Sequence, residues 1–167
     1  DFYLYGVFAT LVGGVEVARG LSATPVASRV LYDQFDRITT ESPSRLQKVR
    51  SDVKEYLQQG EQYLVRFQTD YLFMPLPNVY GRLSAGIFEE MYGGYGGEFL
   101  YRPFGSRFAA GFDVNWVRQR AFDQRLTFLP YTVVTDHMNV FYDMPWYNLL
   151  GEVLVGQYLA GDRGATF

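Results

Sequence analysis

The sequence predicts an all-β chain: an antiparallel transmembrane β-barrel, present as a fragment of a larger barrel, with one short amphipathic helix in a loop. Three observations predict it. Strand-length runs between Glu61 and Ala160 alternate apolar with polar or small side chains, as a barrel wall does when every second residue meets lipid and the others meet a wet lumen. Very short turns and longer polar loops alternate between those runs. Aromatic residues make up 18% of the chain, with 14 Tyr and 14 Phe, as aromatic girdles at the lipid–water boundary require.

Residues 2 to 11 form a strand-like run of ambiguous facing, because Tyr3, Tyr5 and Val7 compete with Phe2, Leu4 and Phe8. Val15–Arg19 and Arg29–Phe35 are expected to pair as a hairpin around Thr24-Pro25. From Ser44 to Gln59 the period changes. Leu46, Val49, Val53, Tyr56 and Leu57 recur at helical spacing, and Gly60 supplies a stop. This helix lies in a loop insertion at about 36–60 of a single partial barrel domain, 1–167. If Met74–Asn78 is a periplasmic turn, the helix belongs to an outer loop or folds into the lumen as a plug. Its narrow apolar stripe and mixed charges fit a membrane-surface helix less well.

The strand candidates follow. Tyr63–Phe73 puts Arg66, Gln68 and Asp70 on one face, and Val79–Ile87 sets Val79, Leu83, Ala85 and Ile87 against Tyr80, Arg82, Ser84 and Gly86. A shorter run opposes Phe99 and Tyr101 to Glu98 and Arg102, with Leu100 breaking the pattern. In Arg107–Val117, Phe108, Ala110, Phe112, Val114 and Trp116 share the oily face. Thr132–Asp143 and Asn148–Ala160 alternate less cleanly, since Phe141 and Leu154 fall on the polar face. The turns 74–78, 103–106 and 144–147 carry Pro or Gly, which preset or permit turn dihedrals. The longer connections are 89–94, 118–130 and 161–164.

Composition excludes several classes. Without cysteine there is no disulfide framework, thiol nucleophile or Cys-based metal site. A net charge of −3 and the lack of any basic run argue against nucleic acid. No stretch approaches the ~18 apolar residues of a membrane helix, so a bilayer crossing requires a closed barrel. A Tyr-rich soluble β-sandwich is the competing reading. The chain has no initiating Met, signal peptide or lipidation site and is expected to be an internal piece of a longer exported protein, its barrel completed by further strands.

The stretch from Val49 to Phe167 resembles the YjbH/GfcD family of exopolysaccharide biosynthesis proteins. The similarity rests on residues 49–52, 80–86, 89–94, 97–107, 115–120 with 122–125, and 158–166, including Tyr80-Gly81-Arg82-Leu83-Ser84-Ala85-Gly86 and Gly97-Glu98-Phe99-Leu100-Tyr101-Arg102-Pro103-Phe104-Gly105-Ser106-Arg107. The resemblance implies a lipoprotein family of barrels in the bacterial outer membrane, supporting secretion or assembly of surface polysaccharide or capsule. The partners it implies are outer-membrane lipid, surface polysaccharide and other export-system proteins. Neither nucleic acid nor any cofactor is expected.

Arg118, Arg120, Asp123 and Arg125, with Glu89 and Glu90, are the candidate exposed glycan contacts, because guanidinium and carboxylate groups hydrogen-bond sugar hydroxyls or acidic sugars. The alternative is that these charges pair and tie the loops together. Arg66, Asp70, Arg82, Glu98, Arg102 and Asp113 are expected to form a lumenal ladder of opposite charges. Gly93-Gly94-Tyr95-Gly96-Gly97 lacks the Lys-Ser/Thr of a phosphate loop and reads as a tight connection. His137, the single histidine, sits beside Asp136 with no serine near in sequence; a catalytic role needs a nucleophile at hydrogen-bond distance, and one histidine does not make a zinc site. The favoured function is a non-enzymatic export barrel. A general porin-like channel, and then an outer-membrane hydrolase using His137, are the alternatives.

Overall fold

The structure, a computed structural model, describes residues 5–38, 52–59 and 62–167. Ten strands form one antiparallel sheet: β1 (Gly6–Val12), β2 (Val15–Ala18), β3 (Leu21–Asp33), β4 (Gln62–Leu76), β5 (Val79–Ile87), β6 (Tyr92–Tyr101), β7 (Phe108–Arg120), β8 (Phe128–Asp143), β9 (Leu150–Gln157) and β10 (Arg163–Thr166). From β3 onward each strand pairs with the next in sequence, while β1 and β2 both pair with β3. A short 3-10 turn, Phe35–Arg37, and the helix α1 (Val53–Gln59) lie between β3 and β4, within the expected insertion. The remainder of the expected helix, 44–51, and its Gly60 stop lie outside the described residues.

Among the described residues the sheet does not close; β1 and β10 are its outermost strands. The observed class is therefore an all-β antiparallel sheet with one short helix, and closure into a barrel is not formed by these residues alone.

Register makes the two faces explicit, since directly paired residues of neighbouring strands point the same way. One face carries Phe99, Phe112 and Met138 with Val155 on one rung, and Tyr101, Ala110, Val140 and Val153 on the next. These large side chains are exposed, with no second layer over them among the described residues. Tyr95 stacks on Trp116 at 5.2 Å near one end of this face, and Phe108 meets Tyr142 at 4.6 Å near the other. Eight residues of β7 separate Trp116 from Phe108, about 27 Å along an extended strand. The Phe73 ring lies over Gly81 and meets Phe99 edge-on at 6.0 Å, giving the bare backbone an apolar cover. Asp136 is the charged exception, opposite Val114 and Gln157, with Arg163 opposite Gln157 in turn. It forms a polar rung toward the β10 edge.

The opposite face is polar and less exposed. Phe141, opposite Ala109 and Glu152, and Leu154, opposite Asn139, do lie on it, so the two irregular runs are strands with misfit residues rather than slipped registers.

Two local expectations are corrected. Thr24-Pro25 is not a turn: β3 runs straight through it, and the hairpin turn is Arg19-Gly20, where Gly20 adopts φ 77°. Pro25 is tolerated because its carbonyl accepts the Gly13 N–H at 2.9 Å, so its donor-less nitrogen faces the Gly13-Gly14 break between β1 and β2. Gly93–Gly97 is not a connection but part of β6. A Cβ at Gly94 would overlap the Trp116 carbonyl oxygen, and one at Gly96 would overlap Asn115, so glycine lets β6 and β7 approach where larger side chains cover them. The trailing stretch after Gly161 also pairs, forming β10 against β9. The alternation of connections holds: the turns at 77–78, 103–106 and 144–149 lie at one end of the sheet and the longer loops at the other.

Gly94→Val is expected to destabilise the sheet by about 3 kcal/mol, as overpacking does when the obstacle is backbone. A lowered urea midpoint for the folded protein checks this.

Candidate functional site: the polar face and its loop-end knot

The centre of the polar face is a single rung running Arg82, Glu98, Asp113, His137 across β5 to β8. Arg82 Nη2 donates to Glu98 Oε2 at 2.6 Å, and His137 Nδ1 lies 3.1 Å from Asp113 Oδ2. Glu98 and Asp113 are directly opposed like charges, and each has a cationic or donor neighbour on its outer side. The next rung adds Ser84 Oγ donating to Asp70 Oδ1 at 2.5 Å, with Gln68 Nε2 donating to the same oxygen at 2.8 Å. Asn115 Nδ2 donates to Asp113 Oδ2 at 3.1 Å. Arg66 donates to the Phe88 carbonyl at 3.1 Å. Strand alternation alone places these groups together, because residues two apart share a face.

Of the sequence-selected ladder, Arg66, Asp70, Arg82, Glu98 and Asp113 thus share this face, and Arg102 follows β6 at its turn end. The one ion pair between ladder members among the described residues is Arg82–Glu98; the other members use hydroxyl, amide, imidazole and carbonyl partners. His137 is the residue that charge counting missed, although its alternation already placed it opposite the oily face. Its partners are Asp113 and an edge-on Tyr158 ring at 5.0 Å. No cluster capable of holding a metal occurs among the described residues.

At the loop end the face is closed by α1. Tyr56, 3% exposed, packs edge-on against Phe122 at 5.1 Å and donates its hydroxyl to the Arg120 carbonyl at 2.5 Å. Gln124 Nε2 donates to the Tyr56 carbonyl at 2.8 Å, and Gln119 Nε2 to Asp52 Oδ2 at 2.7 Å. Beneath them Tyr92, Val117 and Gln119 are buried. The helix therefore packs over the loop end of the polar face.

Arg120 is corrected from the exposed contact set. It is fully buried, and its guanidinium donates to the carbonyls of Leu64, Glu89, Glu90, Gln124 and Arg125. A planar fork with five N–H donors suits convergent carbonyls from three separate segments. It ties the start of β4, the 88–91 loop and the 121–127 loop together through backbone, not through the carboxylates. Arg118 donates to the Leu129 carbonyl at 2.6 Å. Asp123 accepts from the Arg125 N–H and the Thr127 hydroxyl, each at 3.2 Å. Arg125, Glu89 and Glu90 are exposed residues, with Glu89 also lining the polar face beside Arg66 and Tyr92. Loop tying, weighed in sequence as carboxylate pairing, is done by a buried arginine whose role no local pattern marks.

Comparison with known proteins decides the family. The family described as exopolysaccharide biosynthesis protein YbjH matches residues 1–167, including the first 40 residues, which the sequence resemblance did not cover. The chain belongs to the YjbH family. It is 39% identical over 140 residues to an uncharacterised lipoprotein, YjbH, of Escherichia coli strain K12. That alignment covers 81% of this chain and 20% of the relative's length, so this YjbH-family chain spans about a fifth of the curated relative it matches. No solved structure matches it.

Arg120→Ala strands five carbonyls in a buried setting and is expected to cost about 3–5 kcal/mol, opening the 88–91 and 121–127 loops to limited proteolysis; Arg125→Ala leaves the cleavage pattern unchanged. Burial pushes the Tyr56 phenol up to about 12. Because its folded value lies above the unfolded value near 10, its contribution is complete below pH 10 and is lost as pH rises toward 12. Alkaline exposure of the helix in that window, monitored by proteolysis, is expected in the unaltered protein and abolished as a Tyr56-dependent step in Tyr56→Phe.

Proposed function

We infer that this segment forms part of the wall of a β-barrel in the bacterial outer membrane, closed by strands from the rest of a longer protein. In this reading it serves exopolysaccharide or capsule export without catalysing a reaction. The observation that carries it is a sheet of ten strands with one face apolar and, among the described residues, uncovered, and the other polar and internally hydrogen-bonded. A membrane supplies the missing layer for the first face, and a hydrated lumen suits the second. The 27 Å between the Trp116 and Phe108 levels becomes about 21 Å along the normal at a strand tilt near 40°, close to the height of an outer-membrane apolar band. Family membership supports the link to exopolysaccharide, and the relative described as a lipoprotein supports an envelope location. The hydrolase alternative is the less favoured one, since the hydrogen-bond partner of His137 among the described residues is Asp113, with the Tyr158 ring beside it and no serine or threonine hydroxyl bonded to it.

Phe112→Arg in the full-length protein is expected to cost about 2–4 kcal/mol in a bilayer, to abolish heat-modifiable migration and to lower surface polysaccharide. Asn115→Arg, on the polar face of the same strand, leaves migration intact. Equal tolerance of both substitutions would rule out lipid contact.

A further inference from the structure

At the turn end of the polar face the ladder gives way to a cavity of about 480 Å³. That volume falls within the range of small-ligand sites. Its floor is built from Leu100, Ala109, Gly111 and Phe141. The two small residues, both on β7, lie opposite Phe141 and Asn139 of β8 and leave the depression between larger side chains. Phe141 is therefore a flat aromatic ring beside Leu100 on the face that carries the charge ladder, the misfit that alternation already exposed.

The walls are polar. Asn139 lines the cavity, and its Oδ1 is buried without a hydrogen-bond partner. Arg102 and Arg107 bracket the 103–106 turn and line the rim with Asp143. Neither guanidinium makes an ion pair among the described residues, whereas Glu98, also in the wall, is already held by Arg82. The turn carrying them is pinned by Asn78, whose carbonyl accepts the Arg102 N–H at 2.9 Å and whose Oδ1 accepts the Phe104 N–H at 3.2 Å.

We propose that this cavity is a binding subsite for an anionic pyranose unit of a polysaccharide. The apolar face of a sugar ring stacks on Phe141, its hydroxyls meet Asn139 and Asp143, and its acidic substituent lies between Arg102 and Arg107. Free guanidinium groups select the charge, because their fork matches a carboxylate. The sugar contact thus lies on the polar face at the turn end, not on the loops that sequence favoured. This rests on the export reading and narrows it to acidic glycan.

The test uses full-length protein in detergent micelles, with fluorescent oligogalacturonate as the anionic probe and a maltooligosaccharide as the neutral one, read by anisotropy. Oligogalacturonate is expected to bind more tightly. Phe141→Leu, which keeps the floor apolar, weakens both probes about tenfold. Arg102→Gln with Arg107→Gln removes the preference for the anionic probe and its salt dependence, and Arg125→Ala changes neither. Equal binding of the two probes to unaltered protein overturns the proposal, as does unchanged binding by Phe141→Leu or an equal loss in Arg125→Ala. Heat-modifiable migration of the same preparations reports the barrel separately: a folded barrel that binds neither probe sinks the subsite alone, and binding without a barrel sinks the export reading alone.

Discussion

A sheet that is oily on one side, with no described residue packed as a layer against that side, is the constraint behind the rest of this structure. Phe112, Met138, Val140, Val153 and Val155 stand exposed along it, and the hydrophobic effect, of order 25 cal/mol per Å² removed from water, makes an aqueous setting for so many of them costly. Buried apolar side chains among the described residues are few: Tyr56, Ile87, Tyr92 and Val117. Conventional core packing therefore does not hold the sheet together. What does is the ladder of strand hydrogen bonds and cross-strand pairs, backed by whatever covers the apolar face.

That division explains where polar side chains go. With one face committed to apolar surroundings, charge concentrates on the other, and directly opposed positions such as Arg82 with Glu98 and Asp113 with His137 become the natural partners. Such pairs contribute modestly each, roughly 0.2–1 kcal/mol, and act mainly by disfavouring a register slip, which would move every charge to the apolar side. Glycine at positions 94 and 96 serves the same register, since only a missing side chain allows β6 to sit so close to β7 there.

The two ends of the polar face differ in kind. The loop end is a closed knot: Arg120 and Gln124 donate to backbone carbonyls of β4, the helix and two loops, and Gln119 donates to the Asp52 carboxylate. The turn end is open, with an apolar floor and cations that make no ion pair among the described residues. One end is held shut by hydrogen bonds, while the other leaves two guanidinium groups without an ion pair among the described residues.

Dyad alternation made the strands from β4 to β9, their facing and the alternating connections legible in the sequence, because a side-chain period of two depends only on extended backbone. Even the misfits Phe141 and Leu154 were placed on the correct face. Three matters needed the tertiary structure. Whether Thr24-Pro25 turns or continues depends on which strand lies beside it, here the Gly13-Gly14 break. Whether a glycine run is a loop or a strand depends on the Trp116 and Asn115 groups crossing it. Whether Arg120 faces solvent depends on five carbonyls contributed from distant positions. Periodicity is a property of neighbours along the chain, while burial is decided by neighbours in space.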